Sequence, residues 1–251
     1  MQINILPAGA GITWVREGMR LFARQPIGLP AMVVLYLMML VAPAMLPIAG
    51  IAISGVLAPF ASVGLLGACR DVAEGRMPTP LAFVQPFRAS AARVQMVRLG
   101  IINAILLLVV ATLASLLAPE LPGGEAPQSL PDVPLTSLLV QLALYLPVMA
   151  LMWFAPLLTG WHAMEPAKSM FGSAVACWRN VGPMLVFGVA TGVLTVGVSV
   201  IAVMVLTSLT ASRELMSIVI APLALVLMTI VQASLYPMYR SVFVDTPRER
   251  P

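Results

Sequence analysis

The feature that most limits the fold of this chain is an uncharged run over residues 27–69, with 43 consecutive positions lacking Asp, Glu, Lys and Arg. One helical crossing of a bilayer takes about 20 predominantly apolar residues, so this run is long enough for two crossings. Four further uncharged runs are each long enough for one crossing: 99–119, 133–164, 180–212 and 215–239. The pattern therefore predicts six transmembrane helices.

Prolines, glycines and charges set the expected ends of these helices. The first hairpin turns around APAMLPIAG at 42–50, where Pro43, Pro47 and Gly50 interrupt a helix. The expected fold is an all-α polytopic membrane protein, with a single transmembrane domain over 1–251 built as three hairpins. The predicted spans are 27–45, 48–68, 99–118, 135–159, 182–208 and 215–239.

Composition argues against an ordinary soluble domain. Only 10% of the residues are charged, whereas a soluble domain carries about a quarter. The net charge of +4 and the pI near 9.6 would suit a nucleic-acid-binding protein, but the basic residues lie between alternate apolar runs and form no separate basic domain. We therefore expect the phospholipid bilayer as a partner and no nucleic acid, while protein partners are not indicated.

The distribution of basic residues predicts the orientation in the membrane. Thirteen of the 14 lie in segments that six crossings place on one side: Arg16, Arg20, Arg24, Arg70, Arg76, Arg88, Arg93, Arg98, Lys168, Arg179, Arg240, Arg248 and Arg250. The other side receives Arg213 and the acidic Pro/Gly-rich loop 119–134. Because cytoplasmic loops carry the excess of Lys and Arg, both termini are predicted to be cytoplasmic in a bacterial inner membrane.

The segment TWVREGMRLFARQ at 13–25 divides into two helical faces. Such a segment is typical of a helix lying in the membrane interface, with its cations toward anionic phospholipid. The predicted interface residues are Trp14, Arg16, Arg20, Phe22 and Arg24; Val15, Gly18, Met19 and Leu21 share the apolar face, and Glu17 shares the charged one.

A second two-faced segment, PAKSMFGSAVACWRN, covers 166–180, with predicted interface residues Lys168, Trp178 and Arg179. Its apolar face is expected to hold Phe171, Ala174, Val175 and Trp178, and its polar face Lys168, Ser169, Ser173, Arg179 and Asn180. A third candidate surface helix at 86–98 is less clearly two-faced. LFARQPIGLP and CWRNVGPMLV place similar hinges before apolar runs, which favours a unit of surface helix, hinge and hairpin repeated three times.

Small residues predict close helix packing. One stripe recurs at every fourth position of the second helix and another forms a G-x-x-x-G pattern in the fifth: Gly50, Ser54, Ala58 and Ser62, then Gly188 and Gly192. We favour packing within the monomer, with contact across a homo-oligomer as the alternative.

Candidate chemistry is sparse. The six predicted spans contain no ionisable Asp, Glu, Lys, Arg or His, although such residues usually mark ion paths or catalysis inside a membrane. Asn103, Gln141 and Gln232 are expected to form interhelical hydrogen bonds, and Cys69 and Cys177 to be packing residues. An enzyme would need a site among Asp71, Glu74, His162 and Glu165, which lack the arrangement of a metal or general-base centre. We therefore expect no catalytic residues, no metal and no cofactor.

The stretches LPAGAGITWVREGMRLFARQP at 6–26 and MWFAPLLTGWHAMEPAKSMFGSAVACWRNVGPMLVFG at 152–188 resemble an uncharacterised family of proteobacterial six-helix inner-membrane proteins. The resemblance runs nearly end to end. More distantly, the order of surface helix, aromatic residue, Asn or Arg, and hairpin is similar to the membrane domain attached to some glycerophosphodiester phosphodiesterases. This sequence does not contain their catalytic domain, so the resemblance implies a membrane protein of unknown function and supplies no site residues.

Two functions remain open from the sequence. The first is a non-catalytic membrane component that organises lipid or assists other envelope proteins, which the interfacial segments and the sparse chemistry favour. The second is a permease or exporter of a small neutral or apolar solute, because repeated hairpins with prolines inside helices are compatible with a substrate path at broken helices. A membrane enzyme is the least favoured class.

Overall fold

The computed structural model describes residues 2–46, 49–88, 90–117, 135–208 and 213–244. Within these ranges the chain is helical almost throughout, with two short strands that pair antiparallel and one 3-10 turn at Pro80–Phe83. The strands are β1 (Gln2–Ile3) and β2 (Phe243–Val244). The helices are α1 (Ala10–Arg24), α2 (Gly28–Ala44), α3 (Gly50–Ala73), α4 (Gln85–Arg88), α5 (Ser90–Leu117), α6 (Leu135–Met152), α7 (Ala155–His162), α8 (Pro166–Arg179), α9 (Val181–Ser208) and α10 (Arg213–Val242).

Five helical segments in the described part of the chain are long and apolar enough to cross a membrane: Gly50–Ala73, Ala91–Leu117, Leu135–His162, Val181–Ser208 and Ile218–Val242. Helix α2 is apolar but has only 17 residues, or roughly 26 Å at 1.5 Å per residue. It reaches the length of a span together with α1, from which it is bent by 106°. The all-α membrane fold is thus confirmed, with five or six spans.

The chain divides into two compact units, and the first comprises residues 1–38, 62–85 and 176–251. In this unit α1 packs on both α9 and α10, which also contact each other. The indole of Trp14, 2% exposed, lies edge-on to Phe187 with ring centroids 6.2 Å apart. Its Nε1–H donates to the Ser241 hydroxyl at 2.8 Å, so the polar atom of this buried ring is satisfied.

Two glycines bring α1 close to its neighbours. A Cβ added at Gly11 would lie 2.5 Å from the carbonyl oxygen of Pro183 in α9. A Cβ added at Gly18 would overlap the Ser234 hydroxyl and lie 2.7 Å from the carbonyl oxygen of Ile230 in α10. The seven-residue spacing puts both glycines on one face of α1, and that face is therefore pressed against helix backbone.

Both ends of the described chain are joined in the first unit. Gln2 pairs with Val244 and Ile3 with Phe243, and the Asn4 amide donates to the Val242 carbonyl at 2.8 Å. The two short strands therefore hold the ends of the described chain together, on whichever side of the membrane they lie.

The second unit comprises residues 39–61 and 86–175. Here α5 packs against α6 and α7, and it approaches the first part of α3 closely because Gly55 faces Ala104 and Gly100 faces Val56. The buried Asn103 amide donates to the Gly55 carbonyl at 2.8 Å. This confirms the interhelical hydrogen bond predicted for Asn103.

The predicted fourth span at 135–159 is a broken helix. Helix α6 ends at Met152 and α7 begins at Ala155, because Pro156 has no N–H for the Met152 carbonyl and its ring crowds that group. Ser173 of α8 occupies the break, since its hydroxyl accepts from the Phe154 amide at 2.9 Å and donates to the Ala150 carbonyl at 2.7 Å. A hydroxyl thus replaces the helical bond that would join residues 150 and 154.

The candidate surface helix at 86–98 is not a separate element. Helix α4 is a single turn, and α5 runs without a break from Ser90 to Leu117, so most of that segment is the beginning of a spanning helix. The sequence contains no proline between 90 and 117 to stop it. The loop predicted at 119–134, and the basic residues Arg248 and Arg250, lie outside the described residues.

Candidate functional site

Helix α1 presents its charged face outward and its apolar face to protein. Arg16, Arg20 and Arg24 are exposed, while Trp14 and Leu21 are buried. This corrects the assignment of Trp14 to the membrane interface, because the ring fills a protein-lined position that lipid does not reach; Phe22 is half-buried. The sequence pattern located the two faces, but the apolar one is covered by α9 and α10.

Helix α8 departs from the expectation in its small polar residues. Ser169, Ser173 and Asn180, assigned to the polar face together with Lys168 and Arg179, are all 0% exposed. By contrast, Phe171 and Trp178 are 71% and 83% exposed. The aromatic residues of this segment are thus turned outward, as the predicted interface role of Trp178 requires, and its small polar residues are turned inward.

Hydrogen bonds explain why the small polar face of α8 is buried. The Thr159 hydroxyl of α7 donates to the Ser169 hydroxyl at 2.8 Å, and Ser169 donates to the Pro166 carbonyl at 2.9 Å. Together with the Ser173 bonds at the break between α6 and α7, these satisfy the buried hydroxyls. Lys168 and Arg179 are exposed, and their position at the membrane interface stays a prediction.

Asn180 lies between α8 and α9 and holds the N-terminal segment. Its Oδ1 accepts from the Leu6 amide at 3.0 Å, and its Nδ2 donates to the carbonyls of Asn4 and Ala176, each at 3.0 Å. A residue predicted to face outward is therefore a buried anchor for the segment that precedes α1.

Cationic groups gather at one end of the first unit. Arg24 of α1 donates to the Ala73 carbonyl near the end of α3 at 3.3 Å. After α3, Arg76 forms ion pairs with both Asp71 and Glu74. Hydrogen bonds to Asp71 and then Glu74 raise the pKa of the Arg76 guanidinium above its ordinary value, so it remains charged at every physiological pH.

Of the two predicted stripes of small residues, the one in α3 makes close contacts and the one in α9 does not. Ser54 donates to the Leu40 carbonyl at 2.7 Å, and a Cβ at Gly50 would overlap the Pro43 carbonyl; Ala58 and Ser62 are half-buried. Gly188 and Gly192 instead face open space, with nothing within 4 Å of an added Cβ. This corrects their assignment to packing within the monomer.

The residues considered for enzyme chemistry fall in different units of the chain. Asp71 and Glu74 bind Arg76 in the first unit, whereas His162 ends α7 and Glu165 precedes α8 in the second. Among the described residues, no group of three His, Cys, Asp or Glu side chains is arranged to hold a metal ion.

The contacts that sequence analysis missed are made by isolated glycines. Gly11 and Gly55 make close approaches, yet neither has a small residue four positions away, which is the pattern used to predict packing. The seven-residue spacing of Gly11 and Gly18 along the apolar face of α1 is the signal that would have indicated a protein-covered face.

Comparison with known proteins identifies one relative over almost the whole chain. The sequence is 31% identical over 257 aligned residues, covering 97% of this chain and 94% of the relative, to a probable inner membrane protein of Burkholderia thailandensis. No protein-family profile matches the sequence. No solved structure matches it either.

Proposed function

Since the chain belongs to the same family as this inner membrane protein of Burkholderia thailandensis, we propose that it is a non-catalytic, multi-pass inner-membrane component that organises anionic lipid at the cytoplasmic face or assists other envelope proteins there. The observation that carries the proposal is the arginine face of α1, defined as Arg16, Arg20 and Arg24. Docking of α1 on α9 and α10 fixes this face, so its charges are positioned by the fold.

Six crossings with both termini in the cytoplasm form part of the proposal. Pairing of β1 with β2 joins the two ends of the described chain, which supports an even number of crossings. Five spanning helices alone would place these ends on opposite sides, so the proposal takes α2 as the sixth crossing. The 13-to-1 distribution of basic residues then favours the cytoplasm as the side of the termini.

A topology experiment tests this arrangement. With a fluorescent protein fused to either terminus, we expect fluorescence from both fusions, because such reporters mature in the cytoplasm, and degradation of neither tag by protease added to spheroplasts. A reporter inserted at Ser129 of the predicted outer loop should be digested. Opposite behaviour of the two terminal tags would contradict the even number of crossings.

The arginine face predicts a measurable lipid preference. Each cation near an anionic membrane surface contributes on the order of 1 kcal/mol, so replacing all three arginines by glutamine should remove up to about 3 kcal/mol of attraction. We expect polymer-bounded discs cut from native membrane to be enriched in anionic lipid around the wild-type protein. That enrichment, measured by mass spectrometry of the co-extracted lipid, should fall toward the bulk composition in the triple glutamine variant.

The matched control is the triple Arg→Lys variant, which keeps three charges at the same positions. It should retain the lipid enrichment, since attraction to the surface depends on charge more than on guanidinium geometry. Equal enrichment around all three proteins would remove the lipid half of the proposal. A stoichiometric protein partner in the same discs would instead assign the chain an accessory role.

A cleft in the second unit favours the alternative of a permease or exporter. A cavity of about 480 Å³ lies between α5 and α6, with Ser115, Gln141 and Tyr145 among otherwise apolar lining residues, and the break between α6 and α7 follows in the same polypeptide segment. Small-molecule sites are of this size and combine apolar walls with few polar groups. Solute flux by the purified protein in proteoliposomes would support this alternative, and no flux across a broad panel of neutral solutes would contradict it.

A further inference from the structure

A cavity of about 250 Å³ opens between α1, the end of α3 and α10 in the first unit. Its floor is formed by Leu21, Tyr236 and Pro237, which are all buried. The floor is thus largely apolar, with the tyrosine side chain as its polar component.

Three arginines border the mouth of this cavity. Arg20 and Arg24 extend from successive turns of α1, and Arg240 lies in the last turn of α10. Arg24 uses one N–H on the Ala73 carbonyl at 3.3 Å, and Arg240 is hydrogen-bonded to the Tyr236 side chain. Because each guanidinium carries five N–H donors, most of the donors at the mouth remain available.

The charges at the mouth are not neutralised by the protein. Glu17 also lines the cavity, but among the described residues none of the three arginines forms an ion pair with it or with another carboxylate. Among the lining residues, three guanidinium groups against one carboxylate leave two positive charges in excess; the nearby charges of Arg70 and Glu74, which also act on Tyr236, are opposite and leave this excess unchanged. The cavity therefore favours a compact anion with a charge near −2.

We propose that this cavity binds a single phosphomonoester group. Such a group carries about −1.5 to −2 charges at pH 7 and three strong acceptor oxygens, which matches both the excess charge and the donors. Planar guanidinium groups bind phosphate oxygens in pairs. The cavity is slightly smaller than the roughly 300–1,000 Å³ of sites for drug-sized molecules, so it takes the phosphate and leaves the remainder of the ligand outside.

The inference deepens the proposed function, because it names the group that the basic end of the first unit recognises. Two sources supply a phosphomonoester: the headgroup of phosphatidic acid in the cytoplasmic leaflet, or a water-soluble phosphate ester. The inference rests on the proposed orientation only for the lipid source, since a soluble ester reaches the cavity on either side.

Binding to the full-length protein in phosphatidylcholine nanodiscs tests both sources. In one arm the discs contain a small fraction of phosphatidic acid or of the diester phosphatidylglycerol, and native mass spectrometry counts the lipids retained. In the other arm glycerol 3-phosphate is added and binding is measured by calorimetry. We expect one bound ligand per chain in at least one arm, and preferential retention of phosphatidic acid over phosphatidylglycerol if the source is lipid.

The variant Arg240→Gln should weaken that binding on the order of tenfold, equivalent to about 1.4 kcal/mol. Arg93→Gln is the matched control, because Arg93 is an exposed arginine of α5 outside the cavity, and it should bind as the wild type does. The inference is overturned if neither ligand binds at unit stoichiometry, if both variants weaken binding equally, or if both lipids are retained equally and glycerol 3-phosphate does not bind. Since Arg240 is not part of the arginine face of α1, general enrichment of anionic lipid should survive Arg240→Gln, so the two proposals fail separately.

Discussion

Replacing Gly18 with leucine should displace α1 from α10 and lower the free energy of unfolding by about 3 kcal/mol, at the upper end of the usual cost of overpacking. The added side chain would meet the Ile230 carbonyl as well as the Ser234 hydroxyl. A hydroxyl can rotate away, but a helix backbone cannot, so α1 itself must move and expose Trp14. We expect a thermal midpoint in detergent lower on the order of 6–12 °C, and faster proteolysis within the first 25 residues.

Gly188→Leu is the matched control for this experiment. It makes the same chemical change in a long apolar helix, but a Cβ added at Gly188 meets nothing within 4 Å. Its unfolding free energy should therefore stay within about 0.5 kcal/mol of the wild type. Equal losses in the two variants would mean that leucine at any helical glycine is harmful, and the close approach at Gly18 would lose its special role.

The spanning helices were predictable because their signal is local. Charge-free runs and prolines predict where the helices start and stop. In the structure, most helix ends lie within a few residues of the predicted positions. The main difference, the break at residues 153 and 154, lies two residues before Pro156. Its exact position also depends on Ser173, which is distant in sequence and supplies the replacement hydrogen bonds.

The orientation of the amphipathic helices was not predictable in the same way. A helical wheel separates α1 and α8 into two faces each, but it does not say whether lipid or protein covers a face. In α1 the apolar face is covered by α9 and α10, and Gly18 permits the contact. In α8 the buried face is the small polar one, because Ser169 and Ser173 find hydrogen-bond partners in the protein. Such partners are long-range and leave no periodic signature.

The cavity lined by the arginines was not predictable from the sequence either, because it depends on a contact between distant residues. The i, i+4 spacing of Arg20 and Arg24 was visible in the sequence and was interpreted as a surface for lipid. Arg240, more than 200 residues away, joins them only after α10 packs on α1. Sequence spacing therefore predicted a charged surface, whereas the fold closes part of that surface into a site for a single anion.

Replacing Asn180 with alanine should release the N-terminal segment and lower the free energy of unfolding by about 2–3 kcal/mol. The change removes three hydrogen bonds, each contributing on the order of 1 kcal/mol net, and two of them hold Asn4 and Leu6. We expect hydrogen exchange at the amides of residues 2–9, Pro7 excepted, to accelerate strongly, because the turn into α1 loses its attachment and only the pairing with β2 still holds β1. Exchange followed by mass spectrometry of the intact protein in discs measures this directly.

Asn180→Asp separates the loss of donors from the loss of the side chain. An ionised aspartate still accepts from the Leu6 amide but has no hydrogen to donate to the carbonyls of Asn4 and Ala176, so the segment should again open. Thr207→Ala is the control, because that exposed hydroxyl bonds only within its own helix, and its removal should leave exchange in residues 2–9 unchanged. If Asn180→Ala opens the segment but Asn180→Asp protects it as well as asparagine does, the Leu6 bond alone is the anchor. If neither Asn180 variant accelerates exchange, pairing of β1 with β2 is sufficient to hold the ends of the described chain together.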